Sequence, residues 1–382
     1  MPQILDTTLR EGEQTAGVYF DPHIKIAIAE ILDKIGIDYI EAGHPAVSPE
    51  IEESVKKIAD ANLKIKTAAH SRSLKKDVDL ALNCGVDFLG VFYCISNGRL
   101  KNVFKKTLEE SKNQIAEVIR YAKQKKPDLT IRYTPEDTVR SDFKNVIEVS
   151  KAAVEAGADI ISIADTTGKM IPSTNESMYK YVKKLKDTLH EKGLKPKIAV
   201  HCHNDRGLSL ANAIESIRAG ADIIDASVLG LGERAGIVDL AQIATVLNEN
   251  YSTVYNLESL PDLYKLVEKH SSINIPVNFP LVGKNAFTHC AGIHTHAAAV
   301  DPVHYQSLQP EIVGRKTEIC LDHMSGLSSV KYGLKQINAD CSKETVREVL
   351  KEVKIVGRKG RIVDPEELRY IVKMCKNQNK RS

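Results

Sequence analysis

Lys197-Ile198-Ala199-Val200-His201-Cys202-His203-Asn204-Asp205 is an apolar run that ends in two histidines. Alternate side chains on a strand share a face, so His201 and His203 point the same way. Two imidazoles side by side at a strand end can hold a divalent metal. An isolated His-x-His pair also suits two core or surface histidines. A helical stretch is expected from Arg206.

The rest of the chain decides between those readings, because it repeats the same unit. Further short apolar runs lie near 4–6, 39–42, 65–69, 88–93, 130–134, 160–165 and 223–228, with helical patterns between them. In the first helix Asp21 can cap, Pro22 suits the first turn, and Ile24, Ala27, Ile28, Ile31, Leu32 and Ile35 form one apolar face. Gly36, Gly85, Gly157 and Gly220 each stand where a helix gives way to a strand. Eight strand–helix units in roughly 250 residues predict an α/β fold of the (β/α)8 TIM-barrel class. A doubly wound open sheet would more often carry a Gly-rich phosphate loop after an early strand, and this chain has none.

After about Leu260 the alternation breaks, first at Ile275-Pro276-Val277-Asn278-Phe279-Pro280. Helical periodicity returns from Ser342 to Lys376, with Val346, Val349, Leu350, Leu368, Ile371 and Val372 as apolar positions. The expected division is therefore a barrel over 1–258, a linking subdomain over 259–315 and a small helical region over 316–382.

Of 382 residues, 53 are Lys or Arg and 50 are Asp or Glu, a balance that argues against a nucleic-acid partner. Seven cysteines, at 84, 94, 202, 290, 320, 341 and 375, form no Cys-x-x-Cys pair, which suggests reduced thiols in the cytoplasm. No apolar run is long enough to span a membrane, and the opening strand leaves no room for a signal peptide.

In a TIM barrel chemistry sits at the C-terminal ends of the strands, and the polar clusters here fall at those ends. Strand one runs into Asp6-Thr7-Thr8-Leu9-Arg10-Glu11-Gly12-Glu13-Gln14, and strand three into His70. Strand five carries Arg132, Thr134, Glu136 and Asp137, strand six Asp165-Thr166-Thr167-Gly168, and strand seven the two histidines. Strand one neighbours strand eight in a closed barrel, so Glu11 and Glu13 are the candidate anionic partners for His201 and His203. Asp6, Arg10 and Glu11 could instead form a buried ion pair that anchors strand one.

Asp6 to Gln14, His201 to Asp205 and Gly230-Leu231-Gly232-Glu233-Arg234-Ala235-Gly236 occur in this order. With them the chain resembles the TIM-barrel metal-dependent acyltransferases and lyases that include isopropylmalate, citramalate and homocitrate synthases. Within that family it is most similar to the homocitrate synthases, which join acetyl-CoA to 2-oxoglutarate on the aminoadipate route to lysine. The resemblance implies Glu11, His201 and His203 as ligands of one divalent ion (Mg²⁺, Mn²⁺, Co²⁺ or Zn²⁺) that polarises the 2-oxo carbonyl. It implies Arg10 beside the keto oxygen, Thr166 at the first carboxylate, and Glu136, His294 and Tyr305 in proton transfer, without saying which of the three is the base. It also implies a homodimer in which the segment after the barrel reaches the partner's active site.

A second carboxylate on the substrate calls for a fixed cation, and Arg132, with Thr134 on its face and His70 two strands away, matches the residues that hold it. The competing expectation is that Arg132 pairs with Glu136 or Asp137. Two departures from isopropylmalate synthases agree with a diacid: Ile237 where they place Asn, and an end too early for a leucine-sensing domain. Gly90 stands where some lysine-inhibited relatives carry an acid, which puts lysine feedback in doubt. The remaining alternatives are isopropylmalate or citramalate synthase, a carbon–carbon lyase on the same barrel, and an inactive metal-binding regulator.

Overall fold

The computed structural model describes residues 1–292 and 302–379. The chain divides into two compact units, Met1–Asn274 and Ile275–Ser382. The first is a closed barrel of eight parallel strands: β1 (Gln3–Asp6), β2 (Tyr39–Glu41), β3 (Lys66–Arg72), β4 (Phe88–Cys94), β5 (Thr130–Glu136), β6 (Ile160–Asp165), β7 (Lys197–Cys202) and β8 (Ile223–Ala226). Pairing of Gln3 with Ile223 through Asp6 with Ala226 closes β1 onto β8. Helices connect the strands, as the TIM-barrel reading requires.

The interior is built in layers, and the layers place the chemistry. Leu5, Tyr39, Ala68, Phe88, Ile160, Ala199 and Ile223, one from each of seven strands, pack as an apolar plug. Side chains return to the same face every second residue. The next inward layer is therefore Thr7, Glu41, His70, Gly90, Ser162, His201 and Asp225, with Arg132 in register with Gly90. An all-apolar floor thus carries an almost wholly polar storey.

Local details differ from the expected ones where side chains bind backbone. The helix after β7 starts at Ser209 rather than Arg206, because Asn204 Oδ1 accepts the Ser209 N–H at 3.2 Å and residues 204–207 form a turn. Strand β8 stops at Ala226, since the Val228 N–H turns to Thr8 Oγ1 at 2.9 Å. In the helix Pro22–Ile35, Asp21 caps and Gly36 ends it in the left-handed region, as expected. Its buried face, however, includes Lys25, 1 % exposed, whose Nζ meets Glu13 Oε2 at 2.6 Å.

In the second unit the helices Leu327–Gln336, Lys343–Gly357 and Pro365–Asn379 enclose Val330, Leu334, Val346, Val349, Leu368, Ile371 and Val372. A short parallel pair, Thr288–His289 with Glu318–Ile319, precedes them. The largely helical character expected of this region is what the structure has.

Candidate active site

The C-terminal mouth of the barrel opens into a cavity of about 340 Å³, lined among others by Arg10, Glu11, His70, Arg132, Thr134, Glu136, Thr166, His201, His203 and Asp225. All but two of the expected site residues therefore line one cavity. Tyr305 lies in the second unit, on the turn Pro302–Tyr305, and is 45 % exposed. His294 lies outside the described residues.

Glu11, His201 and His203 each present one ligand atom, and those atoms lie within 4.8 Å of one another. His201 Nε2 is 3.3 Å from His203 Nε2 and 3.9 Å from Glu11 Oε2. The loop 230–236 sets Glu11 in place: the Glu233 N–H donates to Glu11 Oε1 at 3.0 Å. Only glycine fits at 236, since a Cβ there would stand 1.8 Å from the Gly230 carbonyl oxygen, and φ is +78°. The same loop accepts the Asn204 N–H at the Gly236 carbonyl, and its Arg234 clasps Asp205 at 2.8 and 3.0 Å.

Burial works against the Glu11 charge, but Arg10 and the two histidines outweigh it and bring its pKa down to about 2. Burial, helped by His201, lowers His203 to about 4. Both groups are thus deprotonated at neutral pH, as ligands must be. Two imidazoles and a carboxylate, with water-accessible space beside them, fit a divalent ion with open positions.

Glu13 does not join this group, because it is spent on Lys25. Glu13→Gln is expected to lower stability by about 3–5 kcal/mol, the cost of stranding a buried ammonium, while leaving metal affinity alone. Thermal unfolding and metal titration of that variant separate the two acids.

Beside the ligand cluster lies a chain of buried charges. Arg10 forms an ion pair with Glu11 and donates from Nε to Glu41 Oε2 at 2.6 Å. The anchoring ion pair and the cavity position are therefore both present at Arg10. Asp6 takes no part in that pair; it accepts from Thr8, and burial raises it to about 7. Glu41 also meets His70 Nδ1 and Arg132 Nη2, both at 3.1 Å. Burial and Arg10 push His70 down to about 4, and its ring stacks on Phe92 at 4.5 Å.

Arg132, 2 % exposed, pairs with neither expected neighbour. It donates from Nη1 to Asp225 at 2.8 and 3.0 Å, while Glu136 meets Arg99 at 2.5 Å and Asp137 meets Arg140 at 2.7 Å. Its Nε–H is buried without a partner among the described residues. Thr166 Oγ1 accepts the Asp137 N–H at 3.1 Å, which leaves its own proton for an acceptor in the cavity. Glu41 and Asp225 are the site residues that sequence reading missed; each is a single acid inside an apolar strand run, on the same face as the residues that were found.

Residues 1–267 match the family model described as HMGL-like. The chain belongs to the HMGL-like family. Residues 281–361 of this HMGL-like protein match the model of the homocitrate synthase post-HMGL domain. It is 43 % identical to a homocitrate synthase of Pyrococcus horikoshii, over 92 % of this chain and 94 % of that one. It is 38 % identical to a 2-isopropylmalate synthase of Methanocaldococcus jannaschii, over 97 % of this chain and 70 % of the relative. Among solved structures, the HMG-CoA lyase of Bacillus subtilis superposes with a TM-score of 0.59 at 25 % identity, over 72 % of this chain and 97 % of that one. Family and relatives mark the chain as an enzyme, a metal-dependent acyltransferase. No helix among the described residues is long and apolar enough to cross a membrane.

Proposed function

We propose that this HMGL-like enzyme is a homocitrate synthase: it condenses acetyl-CoA with 2-oxoglutarate to give homocitrate and CoA, the first step of the aminoadipate route to lysine. The observation that carries the reading is one cavity lined both by a metal-ligand cluster and by Arg132, His70 and Thr134. A 2-oxo diacid needs both sets.

Glu11, His201 and His203 would hold the ion. A divalent ion there supplies Lewis acidity to the 2-oxo group. Arg10 would stabilise charge that develops on the keto oxygen, and Thr166 would donate to the first carboxylate. The unpartnered Arg132 Nε–H, with Thr134 and His70, would take the distal carboxylate. Electrostatics supports these roles. Two cations, Arg10 and Arg132, face three carboxylates, Glu11, Glu41 and Asp225. A dianion meets net negative charge until a divalent cation is added.

The chemistry is then a proton taken from the acetyl methyl, a bond from that carbon to the keto carbon, a proton delivered to the new alkoxide, and hydrolysis of the thioester by water. Glu136, His294 and Tyr305 are the groups for the proton transfers, with His294 and Tyr305 supplied across a homodimer. Seven free cysteines among the described residues agree with a cytoplasmic site of action. The likeness to a 2-isopropylmalate synthase keeps that activity as the second reading, disfavoured by a buried arginine where a branched apolar group would sit.

Thiol release from acetyl-CoA against a panel of 2-oxo acids, with and without chelator, tests the reading. Release with 2-oxoglutarate that chelator abolishes is the expected result. Release only with 2-oxoisovalerate or pyruvate overturns the substrate, and release that ignores chelator overturns the metal.

A further inference from the structure

Asp225 is 1 % exposed on β8, and among the described residues it is the one that contacts both Arg132 and a candidate metal ligand, His201. Its Oδ2 lies 3.0 Å from His201 Nδ1, and the same oxygen accepts from Arg132 Nη1 at 3.0 Å, with Oδ1 at 2.8 Å. A carboxylate only accepts and a guanidinium only donates. The proton between Asp225 and His201 therefore sits on Nδ1. The lone pair is left on Nε2, the atom that faces His203 and Glu11. Arg132 Nη2 is held in turn by Glu41, so the guanidinium is fixed at two corners and the Nε–H is left over.

We propose that Asp225 is a positioning residue that couples metal binding to recognition of the substrate's distal carboxylate. Through Oδ2 it fixes the tautomer and rotation of His201, and through Oδ1 and the shared Oδ2 the rotation of Arg132. The proposal rests on the reading of Glu11, His201 and His203 as metal ligands, and it goes beyond it: what happens at Arg132 is felt at the metal, and by linkage the reverse. Asparagine would weaken the coupling, because its NH₂ group faces the Arg132 Nη1 donor when its oxygen takes the Oδ2 place, and the His201 Nδ1–H when its oxygen takes the Oδ1 place.

The test measures Co²⁺ affinity without substrate, by chelator competition read in the d–d spectrum, for wild type, Asp225→Asn, Arg132→Lys and the double variant. Asp225→Asn is expected to raise the Co²⁺ dissociation constant by about 10- to 100-fold. It should also raise KM for 2-oxoglutarate by a larger factor than it lowers kcat. Arg132 donates to none of the three ligands, so Arg132→Lys should shift Co²⁺ affinity in the wild-type background and by a much smaller factor in the Asp225→Asn background, where the contacts through Glu41 and Arg10 to Glu11 are what remain. Wild-type affinity in Asp225→Asn, or an equal shift from Arg132→Lys in both backgrounds, overturns the coupling. Should Asp225→Asn not fold, ¹⁵N-histidine spectra of the zinc-loaded wild type decide it: an Nδ1-protonated His201 supports the proposal, and an Nδ1-bound one overturns it. Glu11→Gln is the control for the underlying reading. If it binds Co²⁺ as tightly as wild type, the metal site itself is misplaced and the coupling falls with it, a pattern distinct from failure at Asp225 alone.

Discussion

Arg132→Met is expected to lower kcat/KM for 2-oxoglutarate by about 1,000-fold or more, with a much smaller loss for pyruvate, which has no distal carboxylate. A site built to bind a charged group loses roughly this much when the partner is removed in a dry setting. Methionine keeps most of the volume of the arginine, so the loss reports charge and hydrogen bonds rather than a hole. A cost in stability accompanies it. Glu41 and Asp225 are both left buried without their shared cation, and breaking a buried pair costs about 3–5 kcal/mol. Steady-state kinetics on a variant that melts cooperatively separates the two effects. A folded Arg132→Met enzyme that turns over 2-oxoglutarate at the wild-type rate removes this arginine from recognition, and with it the main reason to prefer a diacid.

The partners of Arg132 also show where sequence reasoning reaches its limit. Glu136 was an expected partner because it is near in the chain, yet four residues along a strand is about 13 Å, beyond the reach of a direct pair held in one layer. Asp225 is 93 residues away and in contact, because closure of the barrel makes β5 and β8 face one narrow interior. The barrel itself was legible because each apolar run is short, each helix has its stripe, and glycine stops recur. The strand ends were legible because polar residues collect there. Glu41 and Asp225 were not, since a lone acid in an apolar run such as Ile223-Ile224-Asp225-Ala226 carries no local mark of its partner. Its parity was readable: Asp225 follows Ile223 by two, as His201 follows Ala199. Lys25 was hidden for a similar reason, because a lysine on an apolar stripe is read as solvent-facing unless its partner, Glu13, is already in place.

Glu11→Gln is expected to raise the dissociation constant for Mn²⁺ or Co²⁺ by at least about 100-fold and to reduce activity in proportion at limiting metal. Three facts make the effect large. Glu11 is the one anion among the three candidate ligands, so its neutral amide removes the charge that draws a cation to two imidazoles. Its pKa, held near 2 by Arg10 and the histidines against burial, means that no proton competes for this carboxylate near neutral pH. The Glu233 N–H and Arg10 both donate to it, and an amide that turns its oxygen to one presents its NH₂ to the other. The pH dependence has a definite sign. His203, held at about 4, stays neutral well below pH 7, so its contribution to metal binding is full at pH 6 and lost as the pH falls through 4. Metal titration of wild type, Glu11→Gln and Glu13→Gln in parallel is the measurement. Loss of affinity in the first variant, with loss of thermal stability but intact affinity in the second, assigns the two carboxylates. Equal affinity in wild type and Glu11→Gln excludes Glu11 as a ligand.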